Sequence, residues 1–404
     1  MTSPTTSSSS RTAPAPRDAA EARRAEAERT PRLNLTRRGW LASFLIVLLV
    51  VFATPAVWKR MEKFATPPDY RIPYSLSKDY WLYQRRIDAL KPGQIPVLGD
   101  SVVWGEYVAR DGTLSHFLNQ EAGEPDLYVN AGVNGLFPLA LEGLVRRYGK
   151  AIHDRKVILH CNLLWMSSPE SDLSTSKERK FNHARLVPQF TESIPCYRAA
   201  FNDRASIVVT REVPFLSWVG HIQNTYFDQK NLYAWTLADD GKYPPSFPNA
   251  TKAPWKQITF EVPEEPEHDP DRGPESPRHK PWSTTGAGTQ QFPWVPPGQS
   301  IQWRAFQRLV RLLRDRGNDV LVVIGPFNTH IMAPENRPAF AAELKAVRAW
   351  LDAESIPAVA PPVLESSLYG DSSHPLTEGY RQLAREIRND RGFQAWQIET
   401  GQLR

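Results

Sequence analysis

The stretch Ile95–Gly105 reads IPVLGDSVVWG: four residues of strand character run straight into Gly99-Asp100-Ser101, and another apolar run follows. A short apolar run that ends in turn residues has the signature of a buried strand. Gly99 permits a tight turn after it. A serine just past the carboxyl end of a parallel strand stands where open α/β sheets bind ligands. Working outward, Leu127–Asn130, Val157–His160, Val320–Ile324 and Pro357–Ala360 are further strand candidates. Between them Leu139–His153, Ile301–Arg316 and Pro334–Glu354 carry apolar residues at three- and four-residue spacing, and Pro138 suits a helix start. Thr377–Ile387 opens a last helix. Strands alternating with helices predict an α/β fold of βαβ units around a mainly parallel, five-stranded sheet.

Residues 166–300 break this rhythm. Prolines crowd 261–299, which predicts a long loop, while Trp218, Tyr226, Phe227, Tyr233, Trp235 and Trp255 populate the part before it. The region reads as a proline- and aromatic-rich insertion between the third and fourth strands and not as a separate domain. Its aromatic residues either pack down an irregular loop or form a stacking platform for sugar rings.

A triplet such as Gly99-Asp100-Ser101 is common, so the far end of the chain matters. Asp371-Ser372-Ser373-His374-Pro375 lies after the last predicted strand and before the last helix. A hydroxyl is a poor nucleophile near neutral pH, and an imidazole is the side chain suited to take its proton. A carboxylate three residues earlier can curl through one turn and hold the other ring nitrogen, which fixes the tautomer. Ser101, His374 and Asp371 therefore form a candidate catalytic triad, with Asp100 stabilising the turn. His160 is a strand histidine with a structural hydrogen bond or a residue reaching the site.

These blocks resemble the SGNH (GDSL-type) hydrolase family, whose motifs run serine, glycine, asparagine, then Asp-x-x-His. Gly99-Asp100-Ser101 corresponds to the serine motif and Asp371–His374 to the last, continued by Pro375-Leu376-Thr377-Glu378-Gly379-Tyr380. Val129–Gly135 is similar to the glycine motif, with Gly135 at the oxyanion glycine. The asparagine motif is represented by Asn162 within His160-Cys161-Asn162-Leu163, where the family often has Gly-x-Asn-Asp. The resemblance covers roughly 95–165 and 320–390. It implies a three-layer α/β/α, flavodoxin-like domain over 95–404, an oxyanion hole of Ser101, Gly135 and Asn162, and attack of Ser101 on an ester carbonyl.

The amino-terminal part sets the expected compartment. Gly39–Trp58 holds 20 residues without a charge, close to the ~30 Å of a hydrocarbon core at helical rise. Arg37 and Arg38 precede it, Lys59 and Arg60 follow it, and Trp40 and Trp58 mark its ends. This predicts a signal-anchor: residues 1–38 as a disordered basic cytoplasmic tail, 39–58 as a transmembrane helix, 59–94 as linker and lead-in helix, and the remainder outside the cytoplasm. A cleaved signal peptide would have an unusually long charged leader and a poor cleavage site in Thr54-Pro55-Ala56; a buried core helix would rarely be so uniformly apolar.

The net charge of +5 does not point to nucleic acid. Residues 1–38 contribute eight Arg and four acids, which leaves +1 for the other 366 residues and no clustered basic face. Two cysteines, Cys161 and Cys196, read as buried thiols more readily than as a disulfide. His268, Asp269 and His279 fit no zinc spacing, and no phosphate or dinucleotide loop occurs, so neither metal nor cofactor is expected. The expected function is a membrane-anchored serine esterase or O-acyltransferase for acyl, chiefly acetyl, esters of an extracytoplasmic polysaccharide. The architecture resembles proteins of teichoic-acid D-alanylation and exopolysaccharide O-acetylation, which work beside a multispanning membrane acyltransferase. A tethered small-ester or lipid hydrolase, and a catalytically inactive envelope scaffold, are the alternatives.

Overall fold

The computed structural model of the protein describes residues 35–237, 254–262, 280–284 and 288–398. Residues 1–34 of the tail expected over 1–38, and His268, Asp269 and His279, lie outside them. The chain divides into two units, residues 1–54 and 55–404. Helix α1 (Arg37–Met61) crosses that division. Among the described residues it alone is long and apolar enough to cross a membrane, and little of its apolar stretch is buried. A core helix would be mostly buried, which removes that reading.

Within 55–404, α2 (Tyr80–Asp88) leads into β1 (Ile95–Gly99), α3 (Ser101–Trp104), α4 (Leu114–Ala122), β2 (Tyr128–Gly132), α5 (Pro138–Tyr148) and β3 (Lys156–Cys161). The insertion supplies α6 (Phe201–Glu212), α7 (Pro214–Tyr226), α8 (Leu232–Leu237) and α9 (Pro254–Gln257). Then come α10 (Ile301–Asp315), β4 (Asp319–Ile324), α11 (Arg337–Ala353), β5 (Ala358–Val359), α12 (Thr377–Asn389) and α13 (Arg391–Ile398). The five strands make one parallel sheet in the order β2-β1-β3-β4-β5. That is the flavodoxin-like order, with its switch point between β1 and β3.

Alternation along the strands sorts the core into two layers. Val157, Leu159 and Cys161 of β3, with Val320, Val322 and Ile324 of β4, face a cluster built with Leu82, Leu141, Leu144, Phe306, Leu309 and Leu351. Ile158, Leu321 and Val323 face the opposite cluster, which holds Phe117, Leu118, Leu383, Ile387, Phe393 and Trp396. Helices α2, α5, α10 and α11 thus cover one face, and α4, α12 and α13 the other. Ile301, Ala305, Leu309 and Leu313 lie four residues apart on one stripe of α10, and all are buried.

Some helix boundaries differ from expectation, and α13 follows the helix expected to be the last. The pattern predicted to run to His153 ends at Tyr148, because Gly149 follows and Arg316 takes the terminal carbonyls of Val145, Arg146 and Gly149. The helix predicted from Pro334 begins as a 3-10 turn, Pro334–Asn336, and becomes α-helical at Arg337, with Pro338 in its first turn. The insertion is more helical than its prolines suggested. It is also tied into the fold: Asp172 accepts hydrogen bonds from Ser300 Oγ and from the Ile301 and Gln302 N–H groups at the start of α10, the latter two at 3.2 and 3.1 Å. Trp218, Tyr226, Phe227 and Trp235 pack with Trp58 and Trp81, so these aromatics are core, whereas Tyr233 and Trp255 are exposed. Cys161 and Cys196 are buried free thiols.

Candidate active site

The site grows from the turn after β1. Asp100 is the N-cap of α3, its Oδ1 accepting from the Val102 N–H at 2.9 Å. Its Oδ2 accepts from Asn162 Nδ2 at 3.0 Å and Trp165 Nε1 at 3.1 Å. Burial pushes this carboxyl up, but the His160 ring, the Asn162 amide and the Val102 N–H outweigh burial and hold it below its ordinary value. Asp100 is therefore a buried anion occupied in holding the turn. His160 is buried beneath it, with Nδ1 3.2 Å from Asp100 Oδ1 and Nε2 2.9 Å from the Gly325 carbonyl oxygen. Of its two readings the structural one holds. A Cβ on Gly99 would lie 2.4 Å from Val103 Cγ2 and 2.9 Å from His160 Cβ, so β1 and α3 meet this closely only through glycine.

Ser101 is the first residue of α3, and the other end of the chain comes to it. Its Oγ lies 2.8 Å from His374 Nε2. His374 Nδ1 is 2.9 and 2.8 Å from the two carboxylate oxygens of Asp371. Asp371 Oδ1 also accepts from the Ser373 and His374 N–H groups, both at 2.9 Å, so the carboxylate closes its own turn around the ring. Asn328 Nδ2 holds the Asp371 carbonyl at 3.1 Å, and Tyr380 Oη donates to the Val102 carbonyl at 2.7 Å, which joins α12 to α3. Burial pushes the Asp371 carboxyl up, but His374 and the backbone donors leave it well below the usual carboxylate range. Burial pushes the His374 ring down, yet Asp371, with Asp100 and Glu106 adding to it, leaves the ring above its ordinary 6.5. With Asp371 ionised, Nδ1 carries the proton, and Nε2 is an acceptor facing a hydroxyl.

The three expected oxyanion residues come from three strand ends: Ser101 after β1, Gly135 beyond β2 and Asn162 directly after β3. Gly135 has φ +72°, the left-handed region that favours glycine. A Cβ there would also lie 2.1 Å from Asn182 Nδ2. Asn162 is 3% exposed, accepts from the Leu164 N–H at 3.0 Å and gives one amide hydrogen to Asp100. An amide nitrogen carries a second hydrogen besides the one given to Asp100.

Three contributions lay outside the motif reading. Tyr107 Oη donates to Asp371 Oδ2 at 2.8 Å, and its ring packs edge-on against His374 at 5.2 Å. His183, from the insertion, has Nε2 2.9 Å from the Asn134 carbonyl oxygen and Nδ1 3.0 Å from Tyr80 Oη. A carbonyl only accepts, so Nε2 carries the hydrogen and Tyr80 donates to Nδ1. Burial pushes this ring down to about 4, which keeps it neutral. The insertion thereby pins the turn that carries Gly135. Nothing in the spacing of Tyr80, Tyr107 or His183 marks them; only the folded contacts do. Compared with known proteins, the chain matches no family model and no curated protein.

Proposed function

We propose that this protein is a membrane-anchored serine esterase or O-acyltransferase acting on acyl, chiefly acetyl, esters of an extracytoplasmic polysaccharide. The observation that carries the reading is the relay from Ser101 Oγ through His374 to Asp371, with both links at 2.8 Å. His374 Nε2 takes the Ser101 proton as Oγ attacks the ester carbonyl. The N–H groups of Ser101 and Gly135 and the remaining amide hydrogen of Asn162 receive the developing oxyanion, where one donor is worth about 3 kcal/mol. Collapse leaves an acyl-Ser101 and an alcohol that takes the proton from His374. Water, or a sugar hydroxyl deprotonated by the same ring, then attacks the acyl-enzyme and frees Ser101. The order of motifs resembling the SGNH hydrolases supports the reaction class. The apolar helix α1, with Arg37 and Arg38 before it, supports an amino terminus in the cytoplasm and a site on the far side. A polymer acceptor and a multispanning acyltransferase partner follow from the resemblance of the architecture to polysaccharide-modifying proteins.

The test is fluorophosphonate labelling of the full chain in detergent. The wild type is expected to label, and Ser101→Ala and His374→Ala to lose the label while keeping a cooperative thermal transition. A wild type that is folded and unlabelled would sink the proposal. Acetylated oligosaccharide then separates the two reactions, since hydrolysis yields free acetate and transfer yields a newly acetylated sugar.

A further inference from the structure

The insertion leaves an apolar groove of about 550 Å³ lined by Trp218, Ile222, Phe227, Leu232, Trp255 and Ile258 among others. Of the lining residues Trp255 is 75% exposed and Leu232 51%; Tyr233 and Leu237, on the same short helix as Leu232, are 76% and 46% exposed. Single exposed apolar residues are ordinary; an apolar groove whose lining leaves a Trp and a Leu exposed, with an exposed Tyr on the same helix, marks a contact surface.

What covers it is argued from its neighbour. Trp218, which lines the groove, packs edge-on against Trp58 at 5.6 Å, and Phe260 packs against Trp58 at 4.8 Å. Trp58 is the last residue of the uncharged run that begins at Gly39. In an anchored chain, that position sits at the boundary between lipid and water. Trp58 is itself buried in the domain, so the groove lies one side chain from the end of the uncharged run. Tyr and Trp favour that boundary, having an apolar ring and a polar edge. Lys59 is paired with Asp88 at 3.5 Å, but Lys256 follows Trp255, Lys230 stands two residues before Leu232 and Arg60 stands two after Trp58, charges that suit anionic headgroups. Tethering holds the bilayer at high effective concentration, an advantage that no freely diffusing partner shares.

We propose that the face formed by α8, α9 and the groove-lining side of α7 seats on the surface of the same bilayer that holds α1, with Leu232, Tyr233 and Trp255 in its interfacial layer. This rests on the anchored reading of α1 and not on the chemistry of Ser101. Seating at a point beyond the anchor restricts rotation of the domain about α1. It thereby fixes the height and facing of the site above the membrane.

The experiment uses the full chain in phosphatidylcholine–phosphatidylglycerol vesicles containing lipids with brominated acyl chains. Cys161 and Cys196 are buried, so the wild type serves as the labelling blank. An environment-sensitive fluorophore is placed in turn at Leu232→Cys, Trp255→Cys, Leu49→Cys within α1, and Ala346→Cys on the exposed surface of α11. An interfacial face sinks about 5–10 Å into the headgroup–acyl boundary, so the probes at 232 and 255 are expected to lose roughly half their emission. The probe at 49 is quenched as well, and that at 346 is not. Quenching at 49 with none at 232 and 255 overturns the seat and leaves the anchor standing. No quenching at 49 overturns the anchor, and the seat with it. Signals at 232 and 255 that ignore bromine but change with protein density assign the face to another copy of the chain and overturn the proposal.

Discussion

His374, part-buried, and His221, fully buried, both lie against carboxylates, and the two regions differ in what meets the other ring nitrogen. His374 has Asp371 on Nδ1 and the Ser101 hydroxyl on Nε2. His221, on α7, has Asp79 at 2.7 Å on Nδ1 and Glu62 at 2.7 Å on Nε2. Glu62 further accepts from Trp58 Nε1 at 3.0 Å, Arg85 Nη1 at 2.8 Å and Tyr226 Oη at 2.8 Å. A ring between a carboxylate and a hydroxyl can gain and lose a proton, which is what a general base requires. A ring between two carboxylates has to donate from both nitrogens and is held as a cation. Burial pushes His221 down, but Asp79 and Glu62 more than reverse this and raise it to about 9. The same side chain is a candidate base in one region and, in the other, a clamp joining α7 to α2 and the end of α1.

The contrast breaks most sharply at Asp371. Asp371→Asn leaves the ring without its orienting charge, and ester turnover should fall about a thousand- to ten-thousandfold with the thermal transition intact. A loss below about tenfold would mean that the carboxylate does not serve the ring. His221→Ala should do the reverse. It strips the shared partner from two buried carboxylates and should cost about 3–5 kcal/mol in denaturant unfolding, with turnover per folded molecule unchanged.

Acidity separates the two histidines without mutation. The folded value of His221, about 9, lies above its ordinary 6.5, so its stabilisation is complete below 6.5 and is lost as pH rises through 9. The unfolding free energy should decline across that window by on the order of 3 kcal/mol. Glu62 is held below its ordinary 4.5, against burial, by His221, Tyr226 and Trp58, so its share of the clamp is lost on the acid side instead. Turnover should move oppositely to the His221 effect. His374 sits above 6.5, so activity should rise with pH along a limb centred above that value. A limb centred below 6.5 would contradict the Asp371 effect.

The smallest expected effect is at Tyr107. Tyr107→Phe removes one charge-assisted hydrogen bond from Asp371 and should lower kcat about tenfold with KM unchanged. The bared carboxylate attracts the imidazolium more strongly, so the acid limb should shift upward as well. A merely structural tyrosine would lower stability and leave the limb in place.

The two regions also differ in how far the chain announces them. Asp371 and His374 are three residues apart and close a single turn, so the pair is legible as a local pattern. The Ser101 turn is equally local, because a strand, a glycine and a capping aspartate follow one another. Glu62 and Asp79 lie 159 and 142 residues from His221, and no spacing links them. Tyr107 and Asp371 are 264 residues apart, and Tyr80 and His183 103. Alternating strands and helices require a parallel sheet but do not fix which strands are neighbours; the order β2-β1-β3-β4-β5 was available only through the flavodoxin-like fold that the motif resemblance implies.

By itself the sequence determined what rests on periodicity and on contacts within a few residues: five strands, the helices between them, an apolar span and two strand-end turns carrying Ser101 and His374. The tertiary structure alone decided that those turns meet at 2.8 Å, that Tyr107 braces Asp371 and His183 the turn that carries Gly135, and that the insertion's aromatics divide into a core around Trp58 and an exposed set. The physical reason is that main-chain preference and residue periodicity act within a turn or a strand. Partners drawn from distant parts of the chain are chosen by packing, and packing exists only once both faces of the sheet have been covered.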